Sequence, residues 1–397
     1  MQELEISNKP LQYVLLFLLV SLTSGSLFCW IVLENHFAQH DMPGKKYNGY
    51  GFMTCLLTFV ITGTVLHMKL LSLILQKMKF MTSIYMGVAL FILGLILIVV
   101  GALYVPELLF AAEILISYAG SQIYVSMFCL FPCFKHHAVS MSCAFATSTM
   151  LLQVVDVPVP FYVPFVVWIV LLLLVTVFFK PNQPEKIFTH SSKLEKMKEV
   201  FKYTELYPVY LNVLFGMAAK SYYQNGYFAR LAHLGIDPTN MQYIYTVSNF
   251  SSILAGFFNF LKLEQSHVIN VVLSVVFNLL ILTYECEFTI SLNLFLMNIS
   301  STGVITSALS LCPTESNLFE SNSIVYISMF LGDIIGMASM LKINMKTMDL
   351  VIVSTSMIMQ IFSASTFTII FKKKLFKSKY VKLSELKGVR DELGDFM

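Results

Sequence analysis

The sequence predicts an all-α polytopic membrane protein with twelve transmembrane helices in two six-helix bundles. Three observations carry this prediction. Of the 397 residues, 57% are hydrophobic and only 12% charged, and the mean hydropathy of +0.74 lies well outside the range of soluble domains. Apolar runs of about 20 residues recur from Leu11 to Phe371, each long enough to cross roughly 30 Å of hydrocarbon as a helix. The strict alternation of apolar and polar residues that marks half-buried strands does not occur.

The first apolar run, 11–33, is too long for a signal-peptide core and is followed by no small-residue cleavage site, so it reads as a spanning helix. The second, 50–75, follows the turn MPGKK at 42–46, with Gly49 and Gly51 blurring its start. Pro106 separates 81–103 from 107–131, and Pro132 closes the latter. The runs 138–155 and 161–179 meet at the cluster Pro158, Pro160 and Pro164. Beyond a long polar connection lies 207–234, and Asp237-Pro238 divides it from 239–261. The runs 266–284, 288–311, 321–341 and 347–371 complete the set, with Pro313 ending the tenth.

Basic residues in short loops mark the cytoplasmic side. With the N-terminus inside, nineteen of the 26 lysines and arginines fall on the inner side. Five fall on the outer side: Lys45, Lys46, Arg230, Lys342 and Lys346. The connection 180–206 and the tail after Phe371 dominate the inner set, and two basic inner segments require an even number of spans between them. The organisation predicted is therefore a bundle at 1–179, a cytoplasmic linker at 180–206 containing the helix-prone SSKLEKMKEVFKY, a second bundle at 207–371 and a basic cytoplasmic tail at 372–397.

A six-plus-six layout with a cytoplasmic linker is that of major facilitator transporters, whose substrate site lies between the halves at the bilayer midplane. SGSLFCWIVLENHF (24–37), LFPCFKHHAVSMSCAFATST (130–149) and KSYYQNGYFARL (220–231) resemble elements of that superfamily, and within it of the facilitative neutral (L-type) amino-acid transporter branch. The resemblance covers about a tenth of the chain. The loop between helices two and three departs from it. LSLILQKMKFM (71–81) keeps only Lys79 where Gly-x-x-x-Asp-Arg-x-Gly-Arg-Arg is expected. The equilibrative nucleoside transporters align almost as well in the first helix and around helices four and five, but usually have eleven spans.

A charge at mid-bilayer costs about 2.5–3.5 kcal/mol, so intramembrane polar residues mark the bundle interior or a solute path. Within GMAAKSYYQNGYFARL (216–231), Lys220, Tyr223, Gln224 and Tyr227 share one helical face, and Tyr222, Asn225 and Gly226 lie on another. The first face reads as substrate-lining, or as a lysine paired to hold helices together. Asp333 is the expected acidic partner, as a gate, a proton carrier or a plain buried pair, with Gly332 and Gly336 allowing close approach of another backbone.

In the first half, Glu113, Tyr118 and Gln122 of helix four are read as one polar face, either coupling and lining the site or bonding neighbouring helices. Ser24, Gly25 and Ser26 mark a place where backbone groups open toward a ligand or where helices pack closely. Trp30 is a pocket wall or an interface aromatic. Asn249, Ser251 and Ser252 in helix eight and Asn293, Asn298, Ser300 and Ser301 in helix ten offer neutral donors and acceptors, as ligand contacts or as helix glue.

The seven cysteines lie mostly in or beside apolar runs, which argues against a disulfide framework. CLFPCFKHH (129–137) gathers Cys129, Cys133, His136 and His137, but Pro132 breaks the helix between the cysteines and the spacing matches no usual zinc pattern. Without a phosphate-cradling glycine loop, a Walker-type lysine or a His-Glu-x-x-His motif, neither nucleotide nor metal cofactor is expected, and no enzyme activity. With arginine only at Arg230 and Arg390, a polyanionic substrate is disfavoured.

The expectation is a monomeric carrier in the lipid bilayer, in the plasma membrane by default, taking a small polar solute and, if coupled, protons, with no nucleic acid. A neutral amino acid comes first, and a nucleoside or sugar second. A non-transporting, receptor-like protein is the alternative from another class. A glycosylation tag placed after Met397 is expected to stay unmodified in cells; a modified tag would put the tail outside and exclude the twelve-span scheme.

Overall fold

The computed structural model describes residues 10–24, 80–128, 160–180, 203–236, 263–283, 286–311, 318–339 and 345–371, together with isolated positions between 33 and 43 and between 244 and 258. These residues are helical or lie in short turns, and no strand occurs among them. The helices are α1 (Pro10–Ser24), α2 (Phe80–Leu103), α3 (Leu108–Phe128), α4 (Val163–Phe178), α5 (Tyr207–Leu234), α6 (Leu263–Ile281), α7 (Glu287–Leu311), α8 (Leu318–Ala338) and α9, which starts at Met345 and runs to Phe371. Where both are defined, the ends predicted from sequence fall within three residues of these. The predicted spans 50–75 and 138–155, and most of 239–261, lie outside the described residues.

Local chemistry sets the boundaries. A proline in the first turn opens both α4 and α5, where its missing N–H costs no helical bond. Gly235 ends α5 with φ of 67°, a left-handed position that glycine adopts without a Cβ penalty. The N–H groups of Gly235 and Ile236 then turn back onto the carbonyls of Ala232 and Leu231 at 3.2 and 3.0 Å.

α4 shows why the chain needs a bilayer. Phe165, Trp168, Leu172 and Val175, three or four residues apart, face inward, and the indole Nε1–H of Trp168 donates to the Leu22 carbonyl of α1 at 3.0 Å. Its opposite face is just as apolar, with Val166, Val170, Leu173, Leu174 and Val177 exposed. A helix apolar on every side is at home in lipid rather than water. Four described helical stretches, Met81–Leu103, Glu264–Ile281, Glu287–Leu309 and Lys346–Phe371, are each long and apolar enough to cross a membrane.

Helix pairs close through small residues. Gly87, Gly94 and Gly101 lie one per heptad along α2, and a Cβ at Gly94 would stand 2.5 Å from the Ile116 side chain of α3. On α8, a Cβ at Gly332 would stand 2.2 Å from the Leu214 carbonyl oxygen, and one at Gly336 2.5 Å from that of Ala218, so α8 and α5 meet backbone to backbone. This is the close approach expected of the Gly332/Gly336 pair.

Side-chain bonds and cavities define the two ends of these groups. The Gln12 amide of α1 donates to the Phe178 carbonyl at 3.2 Å and accepts from the Lys180 N–H at 2.8 Å, so the start of α1 and the end of α4 share one face. In the second group, the start of α5 and the ends of α7 and α9 meet around a cavity of about 180 Å³ lined by Tyr203, Leu206, Leu311 and Phe371. The opposite ends, at His233, Thr283, Lys346 and Asp349, surround an open cavity of about 500 Å³.

Valine at Gly332 or Gly336 forces backbone apart rather than rotating a side chain, a defect of the overpacking kind worth about 1–3 kcal/mol. Both variants are expected to unfold at lower temperature than the parent in detergent thermal melts. Unchanged midpoints would mean that α8 does not approach α5 in this way.

Candidate functional site

α5 is polar along its middle because other helices cover it on more than one side. Lys220, Tyr222, Tyr223, Gln224, Tyr227 and Arg230 are all at least nine-tenths buried. The division into a lining face and a second face, expected from helical spacing, therefore does not separate buried from exposed residues. Tyr222, placed on the second face, is 1% exposed and takes part in an ion-pair network. The side chain of Asn225 lies outside the described residues.

The glycine contact between α8 and α5 delivers Asp333 to Lys220. The neighbour of Asp333 is Gly332, seated on the Leu214 carbonyl and Met217, one turn from Lys220. Lys220 and Asp333 are both buried and lie within electrostatic reach of one another, and the Ser221 hydroxyl donates to the main-chain carbonyl of Asp333 at 3.3 Å.

An ion pair not expected from sequence joins α5 to α9. Arg230, counted on the outer side and inside the predicted span 207–234, is 1% exposed in the last turns of α5. Its guanidinium grips Asp349 in two places, Nη1 to Oδ2 at 3.1 Å and Nη2 to Oδ1. The Tyr222 hydroxyl donates to the same carboxylate at 2.9 Å. The rings of Tyr222 and Tyr223 lie 5.4 and 5.1 Å from the guanidinium carbon. A bidentate, aromatic-flanked arginine is the arrangement that best offsets the desolvation of a buried pair.

Neutral polar residues fill the rest of the second half. The Asn298 amide donates to the Ser248 hydroxyl at 3.0 Å, Ser251 donates to the Phe295 carbonyl at 3.0 Å, and Thr302 donates to Ser252 at 3.3 Å. These bonds are the helix-joining alternative for Asn298, Ser251 and Ser252. Asn293 differs from them. It is fully buried, and neither its amide nitrogen nor its oxygen has a hydrogen-bond partner among the described residues.

A further network escaped the sequence reading. Gln360 of α9 donates to the Ser274 hydroxyl of α6 at 2.8 Å and accepts from the Asn278 amide at 2.9 Å. His267 bridges Asn212 and Ser307. The signal was present in the sequence as Asn270, Ser274 and Asn278, four residues apart in an otherwise apolar helix.

In the first half the geometry separates residues that were read together. Nine residues at 100° each bring Gln122 out half a turn from Glu113, so the two do not share a face. The Gln122 amide donates to the Ser83 carbonyl and hydroxyl of α2 at 3.0 and 3.1 Å, a helix-to-helix contact. Glu113 is 2% exposed and Tyr118 half-buried, on the same helix. Ser24 ends α1, with its side chain outside the described residues, as are Gly25, Ser26, Trp30, Asn249 and the Cys129–His137 segment.

No family model and no curated protein matches the chain. Solved structures do. A major facilitator superfamily transporter, FucP, in the outward conformation superposes with a TM-score of 0.59 at 12% identity over 90% of this chain and 99% of that one. A second structure, of the E. coli fucose:proton symporter FucP, gives 0.60 at 12% identity over the same shares. At this identity the likeness establishes the fold: the chain has the architecture of major facilitator transporters, and the structures it resembles are transporters rather than enzymes.

Removing one member of a desolvated pair leaves the other charge buried, at a cost of about 3–5 kcal/mol. Arg230→Met and Asp349→Asn are each expected to lower the thermal midpoint sharply in detergent, and the double variant to recover part of the loss. Equal destabilisation by the singles and full additivity in the double would show that the pair is not formed.

Proposed function

We propose that this chain is a secondary carrier that moves a small zwitterionic or neutral organic solute by alternating access, with a neutral amino acid as its first substrate class. The observation that supports the proposal is the burial of Lys220 and Asp333 within electrostatic reach of one another, with Tyr223, Gln224 and Tyr227 buried along the same helix as Lys220. A site holding one cation and one anion matches a zwitterion. The solute's carboxylate would take Lys220 and its ammonium Asp333, exchanging one internal pair for two intermolecular ones at little net change of charge. Asn293 adds an amide whose two polar atoms await partners. A sugar, the solute named for FucP, needs no such charges.

In this reading the halves 1–179 and 207–371 rock about the 180–206 linker. Both termini face the cytoplasm, the protein acts as a monomer, and the plasma membrane is its site. Glu113 and Asp333 are the groups that would couple or gate movement.

Radiolabelled uptake in a transport-null host, screened across amino acids, nucleosides and hexoses, tests the reading. Uptake of a neutral amino acid is expected. Lys220→Met with Asp333→Asn, a double change that leaves no orphan charge, is expected to cut it at least about tenfold at equal surface abundance. Uptake confined to hexoses or nucleosides defeats the substrate class. No uptake of any class by protein present at the surface defeats the carrier and favours a receptor-like role.

A further inference from the structure

His267 is fully buried on α6 and hydrogen-bonded through both ring nitrogens to helices on either side. Its Nε2 lies 3.2 Å from the Asn212 amide nitrogen of α5, and its Nδ1 lies 2.9 Å from the Ser307 hydroxyl of α7. An amide nitrogen only donates, so Nε2 accepts and the ring proton sits on Nδ1. Nδ1–H then donates to Ser307, whose hydroxyl in turn donates to the Val304 carbonyl at 3.1 Å. In this arrangement the ring is neutral and every ring atom that can bond does so.

One acceptor is left over. The Asn212 oxygen is buried and has no hydrogen-bond partner among the described residues. If the imidazole takes a proton on Nε2, the new N–H meets the Asn212 NH₂ donor to donor. A half-turn of the amide about its terminal torsion then presents the spare oxygen to that N–H at the same place. The Asn212–His267 hydrogen bond can therefore be made in two states that differ by one proton and one amide rotation, each leaving one polar atom of the amide over.

The surroundings decide when the proton can arrive. α5 offers the ring Asn212, α7 offers Ser307, and α9 offers the ring of Phe367, edge-on at 5.3 Å between centroids. Ser266 and Asn270 flank it on α6, and no charged group interacts with it among the described residues. An imidazolium held there without a counter-charge needs water. Phe367 also lines the cavity of about 180 Å³ at the face where α5 begins and α7 ends. That cavity is also lined by Tyr203, Glu205 and Phe371, with Phe371 stacked on Phe367 at 5.9 Å. Phe367 thus touches both the buried imidazole and the cavity at the end where α5 begins.

We propose that His267 is a proton-binding site, loaded from the linker face through the Phe367 cavity and received by rotation of the Asn212 amide. Its use in driving solute movement rests on the carrier reading above, but the binding step itself is independent of any solute. A proton enters, Nε2 becomes N–H, and Asn212 changes from donor to acceptor, with no other bond in the network broken. When Phe367 closes over the neutral ring, the site is emptied of charge.

The full-length protein in lipid nanodiscs, with ¹⁵N-labelled histidine and the His267 signal identified by its loss in His267→Gln, reads both states by nitrogen chemical shift. At pH 8 the Nδ1–H tautomer is expected. At pH 6 Asn212→Asp, which supplies a counter-charge, is expected to raise the imidazolium-to-imidazole ratio by on the order of tenfold. Asn212→Leu is expected to lower that ratio, and Phe367→Ala to raise it by admitting water. An Nε2–H tautomer at pH 8, no detectable imidazolium in the parent protein at pH 6, or an equal ratio in all four proteins overturns the proposal whatever the uptake screen finds. A failed uptake screen with these shifts intact removes the carrier and leaves the proton site standing.

Discussion

The contact between the backbones of α8 and α5 is the constraint on which the polar interior of the second half depends. Two absent side chains, at Gly332 and Gly336, let α8 rest on the carbonyls of Leu214 and Ala218. Asp333 has no freedom to lie elsewhere, because its neighbour is pinned to α5. The electrostatic consequence follows from the steric one. The seam brings Asp333 and Lys220, both buried, within electrostatic reach of one another, and opposite charges so placed offset part of each other's desolvation.

Beyond that seam the half is held by two kinds of polar bond with different roles. Arg230 with Asp349 is a dense, multiply bonded charge pair near the end of α5 opposite the linker, tying that end to α9. The bonds among Asn212, His267 and Ser307, and among Ser274, Asn278 and Gln360, are neutral and tie α6 to its neighbours in smaller increments. Neutral bonds inside a membrane average under about 1 kcal/mol each, so several of them hold helices together without locking them. The second group thus has one dense charge clamp toward one face and smaller neutral joints elsewhere.

Much of this was legible in the sequence, because hydropathy reports span length and lipid demands it. Where both are defined, the ends of the described helices lie close to those read from apolar runs, prolines and glycines. Lys220 and Asp333 were recognisable as buried, because a charge in an apolar run has few ways to survive. The Arg230–Asp349 pair was not legible, because its members lie 119 residues apart and nothing in either apolar run points to the other. His267 and Gln360 were overlooked because a neutral polar residue in an apolar helix has no single meaning, and its partners lie 40 to 86 residues away in the chain. Glu113 and Gln122 show the opposite failure: proximity in sequence was mistaken for a shared face.

The first turns of α9 widen into a π-helical stretch at Asp349–Val353. Asp349 and Gln360 are eleven residues apart, which in a regular α-helix brings two side chains within about 20° of the same direction. Here one meets Arg230 of α5, and the other bonds Ser274 and Asn278 of α6 while lying against Gly216 of α5. The extra residue in the wide turn shifts the phase between them from that of a regular helix. A chain lacking one residue between 349 and 353 would still be a good membrane span of the same hydropathy. It would, however, be out of phase with itself, able to satisfy the arginine or the amides but not both, so the length of this short stretch is as much a part of the interior as any side chain in it.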